Sequence, residues 1–264
     1  MESGVLIPAR GAGMPAPVRR GPRRWFKGVG VLLLGSVITY AVIHIRPQPW
    51  FPHVLRRGTV ALHSRRPLPP NAAAILGDVE QRLARSPLYR RDRVYDVFLC
   101  DSATVYDFFA FPHRGTGGET FVWLGNNSFI RPARFEENRL IGPSGRDVPG
   151  ERSLAYFLAH EVVHAMTADA VGTWRYLRLE RWRQDGYADY VAKGGAFDFA
   201  GRLRGFREGD PELDPQRSGL YLRYHLLVAY LLDQRGISVS DLLAGSYSAG
   251  QIEADLLAGS GVAP

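Results

Sequence analysis

The chain has 264 residues, 45% apolar and 22% charged, with a formal net charge of +7, enough for one domain of ordinary size with extensions and too little for a second. The charge is unevenly placed: Arg10, Arg19, Arg20, Arg23, Arg24 and Lys27 against Glu2 give residues 1–27 a net +5, leaving +2 for the other 237. The globular part is close to neutral, so the basic balance does not point to nucleic acid and none is expected as a partner.

Gly28 to Ile45 is eighteen residues without a formal charge. As a helix it would be about 27 Å long, just enough to span a bilayer with Trp25 and Phe26 at the interface. No small-x-small cleavage site precedes Arg46-Pro47, so the run reads as an uncleaved anchor rather than a signal peptide. Arginines on its N-terminal side keep the short arm in the cytoplasm and put the following domain outside. In a Gram-negative bacterium that is the periplasmic side of the inner membrane. The expected organisation is a basic cytoplasmic arm at 1–27, a transmembrane anchor at 28–45, a linker at 46–57 and one domain at 58–264.

Pro47, Pro49 and Pro52 make the linker a membrane-proximal spacer rather than a helix. Strand character begins at Thr59 to His63, followed by an amphipathic helix over Ala72 to Leu83. Val94 to Cys100 reads as a strand and Ser102 to Phe109 as a helix. Phe121 to Leu124 and Ser128 to Arg134 read as strands around a Gly125-Asn126-Asn127 turn. Cys100 is the only cysteine, so no disulfide can form within the chain, and in a buried strand it acts as a small apolar group. Pro143 to Gly150 reads as an exposed loop. The strand nearest the later motif is either a peptide-binding edge or a plain structural hairpin, and sequence does not say which strand that is.

The chain is organised around His160-Glu161-Val162-Val163-His164, inside the apolar run Ser153 to Thr167. On a helix, residues four apart lie about 40° from each other around the axis, so both imidazoles project from one face and can grip one metal ion. Glu161, beside the first of them, is placed to take a proton from water rather than to bind the metal. A core helix whose histidines have ordinary hydrogen-bond partners is the competing reading.

Further on, Trp182-Arg183-Gln184-Asp185-Gly186-Tyr187-Ala188-Asp189-Tyr190 resembles the Trp-x-x-Glu-Gly-x-Ala-x-Tyr segment of gluzincin metallopeptidases, the thermolysin-like and aminopeptidase-like zinc enzymes. The resemblance covers Ser153 to Ala192 and implies an α+β zincin-like domain: a small mixed sheet before the motif helix and a mostly helical C-terminal half. It implies zinc held by His160, His164 and Asp185, with Glu161 as the general base. The family has glutamate where this chain has Asp185, one methylene shorter, so the helix carrying it must come closer. Glu180 is the rival third ligand, and Asp185-Gly186 also reads as a turn or cap. Asp189, four residues on, is either a support for a ligand histidine or a solvent-exposed carboxylate.

Beyond Gly194-Gly195 a charged stretch to Arg217 reads as a solvated loop. Gly219 to Gln234 is an apolar helix whose Tyr221, Tyr224 and His225 are candidates to stabilise an oxyanion or simply to pack. Val239 to Leu243 and Ile252 to Leu257 are short helices, and there is no internal repeat. The aminopeptidase Gly-x-Met-Glu-Asn segment is missing, so the function expected is a membrane-anchored endopeptidase acting on peptide or protein substrates. The alternative is a zincin-fold binding or assembly protein without turnover.

Overall fold

A computed structural model describes residues 23–195 and 197–259, with no account of the side chains of 23–28. The basic arm expected at 1–27 therefore lies outside the described residues except for the backbone of 23–27. The chain divides into two units between Val42 and Ile43.

Helix α1 runs Arg23–Ile45. Val31, Leu32, Leu33, Leu34, Val37, Ile38 and Val42 on it are exposed. Among the described residues no helix is long and apolar enough to cross a membrane.

The second unit is α+β. Five strands, β1 (His53–Arg57), β2 (Val60–Ser64), β3 (Tyr95–Leu99), β4 (Gly118–Phe121) and β5 (Asn127–Ile130), form one mixed sheet in the order β1-β2-β3-β5-β4. The inner pairs β2-β3 and β3-β5 are parallel, and the outer pairs β1-β2 and β5-β4 are antiparallel. Two helices cross between strands, α2 (Ala72–Leu83) and α3 (Ala103–Phe109), the latter opened by Ser102, whose hydroxyl accepts from Val105 N. A small hairpin, β6 (Ala133–Arg134) with β7 (Arg139–Leu140), precedes the helical half.

That half contains α4 (Leu154–Val171), α5 (Thr173–Tyr176), α6 (Arg181–Lys193), α7 (Phe199–Glu208), α8 (Pro215–Ser218), α9 (Leu222–Ala229), α10 (Val239–Ala244) and α11 (Ala249–Ala258). A π-helical turn, Tyr230–Gln234, continues α9. Helix α4 starts where the Ser153 hydroxyl accepts from Tyr156 N, and it stops at Gly172, whose φ of 84° few other residues tolerate. Every residue from Leu154 to Ala168 is buried, because α4 packs on the sheet on one side and on α2 and α6 on the other. A helix covered all round can be apolar all round.

Three expectations change. The proline-containing spacer ends in a strand: His53–Arg57 pairs with Ser64–Val60 at the sheet edge, where Pro52 just outside the ladder costs no hydrogen bond. The charged stretch after Gly195 contains α7, capped by the Asp198 carboxylate at its start and by Gly209 at its end, with Leu203 buried. Strand β4 ends at Phe121 rather than starting there, and residues 122–124 form a turn.

Candidate metal centre

Helices α4 and α6 pack together, and α6 also lies against α9. Gly186 makes the second approach possible: a Cβ there would stand 2.7 Å from the Tyr224 carbonyl oxygen. Asp185-Gly186 is therefore mid-helix, not a turn, and the carboxylate is carried on a rigid element.

The α4 face turned to α6 brings His160 and His164 together, ring centroids 4.8 Å apart. Asp185 Oδ1 lies 4.0 Å from His160 Nε2 and 3.6 Å from His164 Nε2. Tetrahedral zinc with ligands at about 2.0–2.1 Å has ligand-to-ligand edges of roughly 3.3 Å, so the two edges that Asp185 Oδ1 makes with the histidines need a small inward movement to match such an ion. One donor atom each from His160, Glu161 and His164 also falls within 4.8 Å of the others, so Glu161 stands close to the same histidines. Its Oε2 accepts from Thr120 Oγ1 at 2.7 Å.

The donor chemistry agrees with the spacing. Burial depresses His160 well below the usual histidine range and depresses His164 as well, Asp185 opposing the effect on His164. Both rings are thus neutral near pH 7, the form that binds a metal. Tyr176 OH pairs with His164 Nδ1 at 2.8 Å and leaves Nε2 for the Asp185 side. His160 Nδ1 is buried without a partner; its ring is held by stacking on Tyr221, centroids 5.3 Å apart and 10° from parallel. Asp185 Oδ2 is fixed by Arg181 Nε at 2.8 Å, which turns Oδ1 toward the histidines.

A cavity of about 330 Å³ opens beside these groups, lined among others by His160, Glu161, Arg152, Arg181, Tyr221 and Tyr224. Burial pushes the Glu161 carboxyl up to about 8, against the Thr120 hydrogen bond, which pulls it down. Such a group exchanges protons near neutrality, as a general base must. Gly118 on β4 admits it: a Cβ there would lie 2.6 Å from Glu161 Cγ. The antiparallel edge strand β4 therefore runs directly past the carboxylate, with Glu119 next to Gly118. Burial raises the Glu119 pKa and His113, 3.1 Å away, lowers it.

Glu180 is not brought to the histidines. It precedes α6, more than half exposed, and accepts from Trp182 Nε1 at 3.0 Å. His225 does not line the cavity either. It is buried, stacked on Phe197 with centroids 3.7 Å apart, and its Nδ1 lies 2.8 Å from Asp189 Oδ2. Asp189 in turn is neither solvent-exposed nor on a ligand histidine. It is 1% exposed and shared by His225, Lys193 at 3.1 Å and the Tyr156 hydroxyl. Hydrogen bonds from His225 and the Lys193 charge overcome burial and hold it well below the usual carboxylate range. Of the three oxyanion candidates, Tyr221 and Tyr224 reach the cavity.

Thr120, Tyr176, Gly118 and Arg181 are the site residues that sequence reasoning missed. Each is one residue without a motif, and only Gly118, a glycine beside an expected strand, carried a local signal. The chain matches no family model, and no curated protein matches it.

Proposed function

We propose that this protein is a zinc-dependent endopeptidase of the gluzincin type, tethered to a membrane through residues 28–45. One observation carries the reading: a carboxylate oxygen of Asp185 faces Nε2 of both motif histidines, at 4.0 and 3.6 Å. A zinc ion held by His160, His164 and Asp185 would supply an electrophile that acidifies water and polarises a peptide carbonyl. Glu161, on the cavity wall, would take the proton from water and hand it on to the leaving amine. Thr120 keeps the Glu161 carboxylate oriented while β4 offers its free edge to an extended peptide, which would pair as a further antiparallel strand. Tyr221 or Tyr224 donates a hydrogen bond to the developing oxyanion from the cavity wall.

The anchor rests on the uncharged run and on the exposed apolar side chains of α1. It puts the arm in the cytoplasm and the catalytic unit outside. In the second reading the chain binds without turnover, and the Arg181 ion pair with Asp185 favours it by competing with a metal for that carboxylate. Metal analysis and hydrolysis of an unfolded protein such as casein decide between them, using the full chain beside Glu161→Gln. Zinc in both proteins with hydrolysis in the wild type alone supports the peptidase; zinc in both with no hydrolysis in either leaves the binding protein.

A further inference from the structure

Arg152 stands on the wall of the cavity, half-buried, immediately before the Ser153 cap of α4. Among the described residues its hydrogen bonding amounts to a long 3.4 Å contact from Nη1 to the Gly219 carbonyl, and its guanidinium lies over Phe157, 5.7 Å from the ring centroid. No described carboxylate pairs with it. Arg181, the other guanidinium on the wall, is committed to Asp185. The guanidinium is a permanent cation on the cavity wall whose fork geometry suits a carboxylate better than a neutral group. The amide of Gln216 and the phenol of Tyr224 share this cavity, and both can hydrogen-bond a carboxylate. The positive end of α4, eighteen residues long, adds to the same preference.

We infer that Arg152 is a specificity-determining residue that binds a carboxylate of the peptide substrate, either an aspartate or glutamate side chain or the free C-terminus. The inference rests on the peptidase reading for the word substrate, but the anion site itself does not depend on turnover. Arginine meets a carboxylate with two parallel hydrogen bonds, which lysine cannot do.

The test uses the full chain carrying Glu161→Gln, zinc-loaded and solubilised in a nonionic detergent. Fluorescently labelled hexapeptides are titrated in pairs: aspartate against asparagine at each internal position in turn, and a free against an amidated C-terminus. A charge-assisted contact predicts that one pair differs by about ten- to a hundred-fold in affinity. Adding Arg152→Gln removes the difference, Arg152→Lys restores part of it, and Arg152→Glu reverses it. Ratios within one sample are independent of the folded fraction. The pair that responds tells an internal acid from a C-terminal one, and equal affinities within every pair overturn the inference. Hydrolysis of the preferred peptide by the wild type is read separately: binding with the predicted ratio but no cleavage refutes the peptidase alone, and cleavage without the ratio refutes the carboxylate site alone.

Discussion

Thr120 Oγ1 donates a 2.7 Å hydrogen bond to Glu161 Oε2, joining the edge strand of the sheet to the motif helix at the carboxylate proposed as base. The bond favours the ionised form while burial favours the neutral one, and burial wins, leaving Glu161 at about 8 in the metal-free protein. The folded value lies above the unfolded value of 4.5, so the associated stability is fully present below pH 4.5 and is lost as pH rises through 8. His160, His164 and His225 are depressed and act the other way, removing stability as pH falls below their unfolded value of 6.5. Between pH 7 and 8 the tail of the histidine effect opposes Glu161, and Glu119, also raised by burial, acts in the same direction as Glu161.

Chelated wild-type protein should accordingly lose about 1 kcal/mol more stability between pH 7 and 8 than Glu161→Gln does over that interval. Urea unfolding at the two pH values measures both. Thr120→Val, lacking the bond that lowers the pKa, should carry the loss to still higher pH. Parallel curves for wild type and Glu161→Gln would mean that Glu161 titrates alike in the folded and unfolded chain.

Asp185→Ala should lower zinc affinity by at least a hundred-fold, because it removes an oxygen within 4.0 Å of both histidines. Glu180→Ala should leave affinity unchanged, its carboxylate being spent on Trp182. Tyr176→Phe, which frees His164 Nδ1, should cost about ten-fold, within the range of outer partners of metal ligands. Competition with a calibrated chelator ranks the three. Unaltered affinity in Asp185→Ala would remove the aspartate from the site and leave Glu161 as the nearest acid.

Helix α2 falls on Ala72–Leu83, as its apolar spacing predicts, and α4 and α6 fall where the motifs place them, since periodicity and caps are local signals. Strand β4 was displaced by three residues because Val122-Trp123-Leu124 is a stronger apolar run than Gly118-Glu119-Thr120. The glycine looks like a breaker, yet it belongs in the strand because Glu161 fills the space a Cβ would take. Helix α7 was hidden by its arginines, with Leu203 its one buried residue. His225 and Tyr224 were equally plausible on sequence, but adjacent helical residues point about 100° apart, so Tyr224 reaches the cavity and His225 reaches Asp189. Long-range pairings of that kind leave no spacing to read.

Asp189 joins α4, α6 and α9 through Tyr156, Lys193 and His225. Asp189→Ala should destabilise the fold by about 3–5 kcal/mol, since Lys193 would be left as a buried unpaired charge. Asp189→Asn keeps the shape and should cost less. The stability that the carboxylate contributes is present above pH 3.8 and lost below it, its folded value being depressed. Denaturant midpoints for the three proteins at pH 7 test the order, and an Asp189→Ala cost under 1 kcal/mol would show that the cluster is not a structural centre.

Gly118→Ala separates the site from the scaffold. Strand β4 is at the sheet edge, where alanine is readily accommodated by the backbone, but its methyl would sit 2.6 Å from Glu161 Cγ and from Oε1. The carboxylate has to swing away from Thr120, while the nearest atoms the methyl would meet all belong to Glu161 and none to His160, His164 or Asp185. Zinc content should therefore stay at the wild-type level, with peptide hydrolysis reduced at least a hundred-fold in kcat. Gly117→Ala makes the informative comparison: its Cβ would meet Phe157, 2.4 Å from Cε1, rather than the acid, so it should lower stability without selectively lowering kcat. Wild-type turnover in folded, zinc-loaded Gly118→Ala would show that hydrolysis does not need Glu161 where Thr120 holds it.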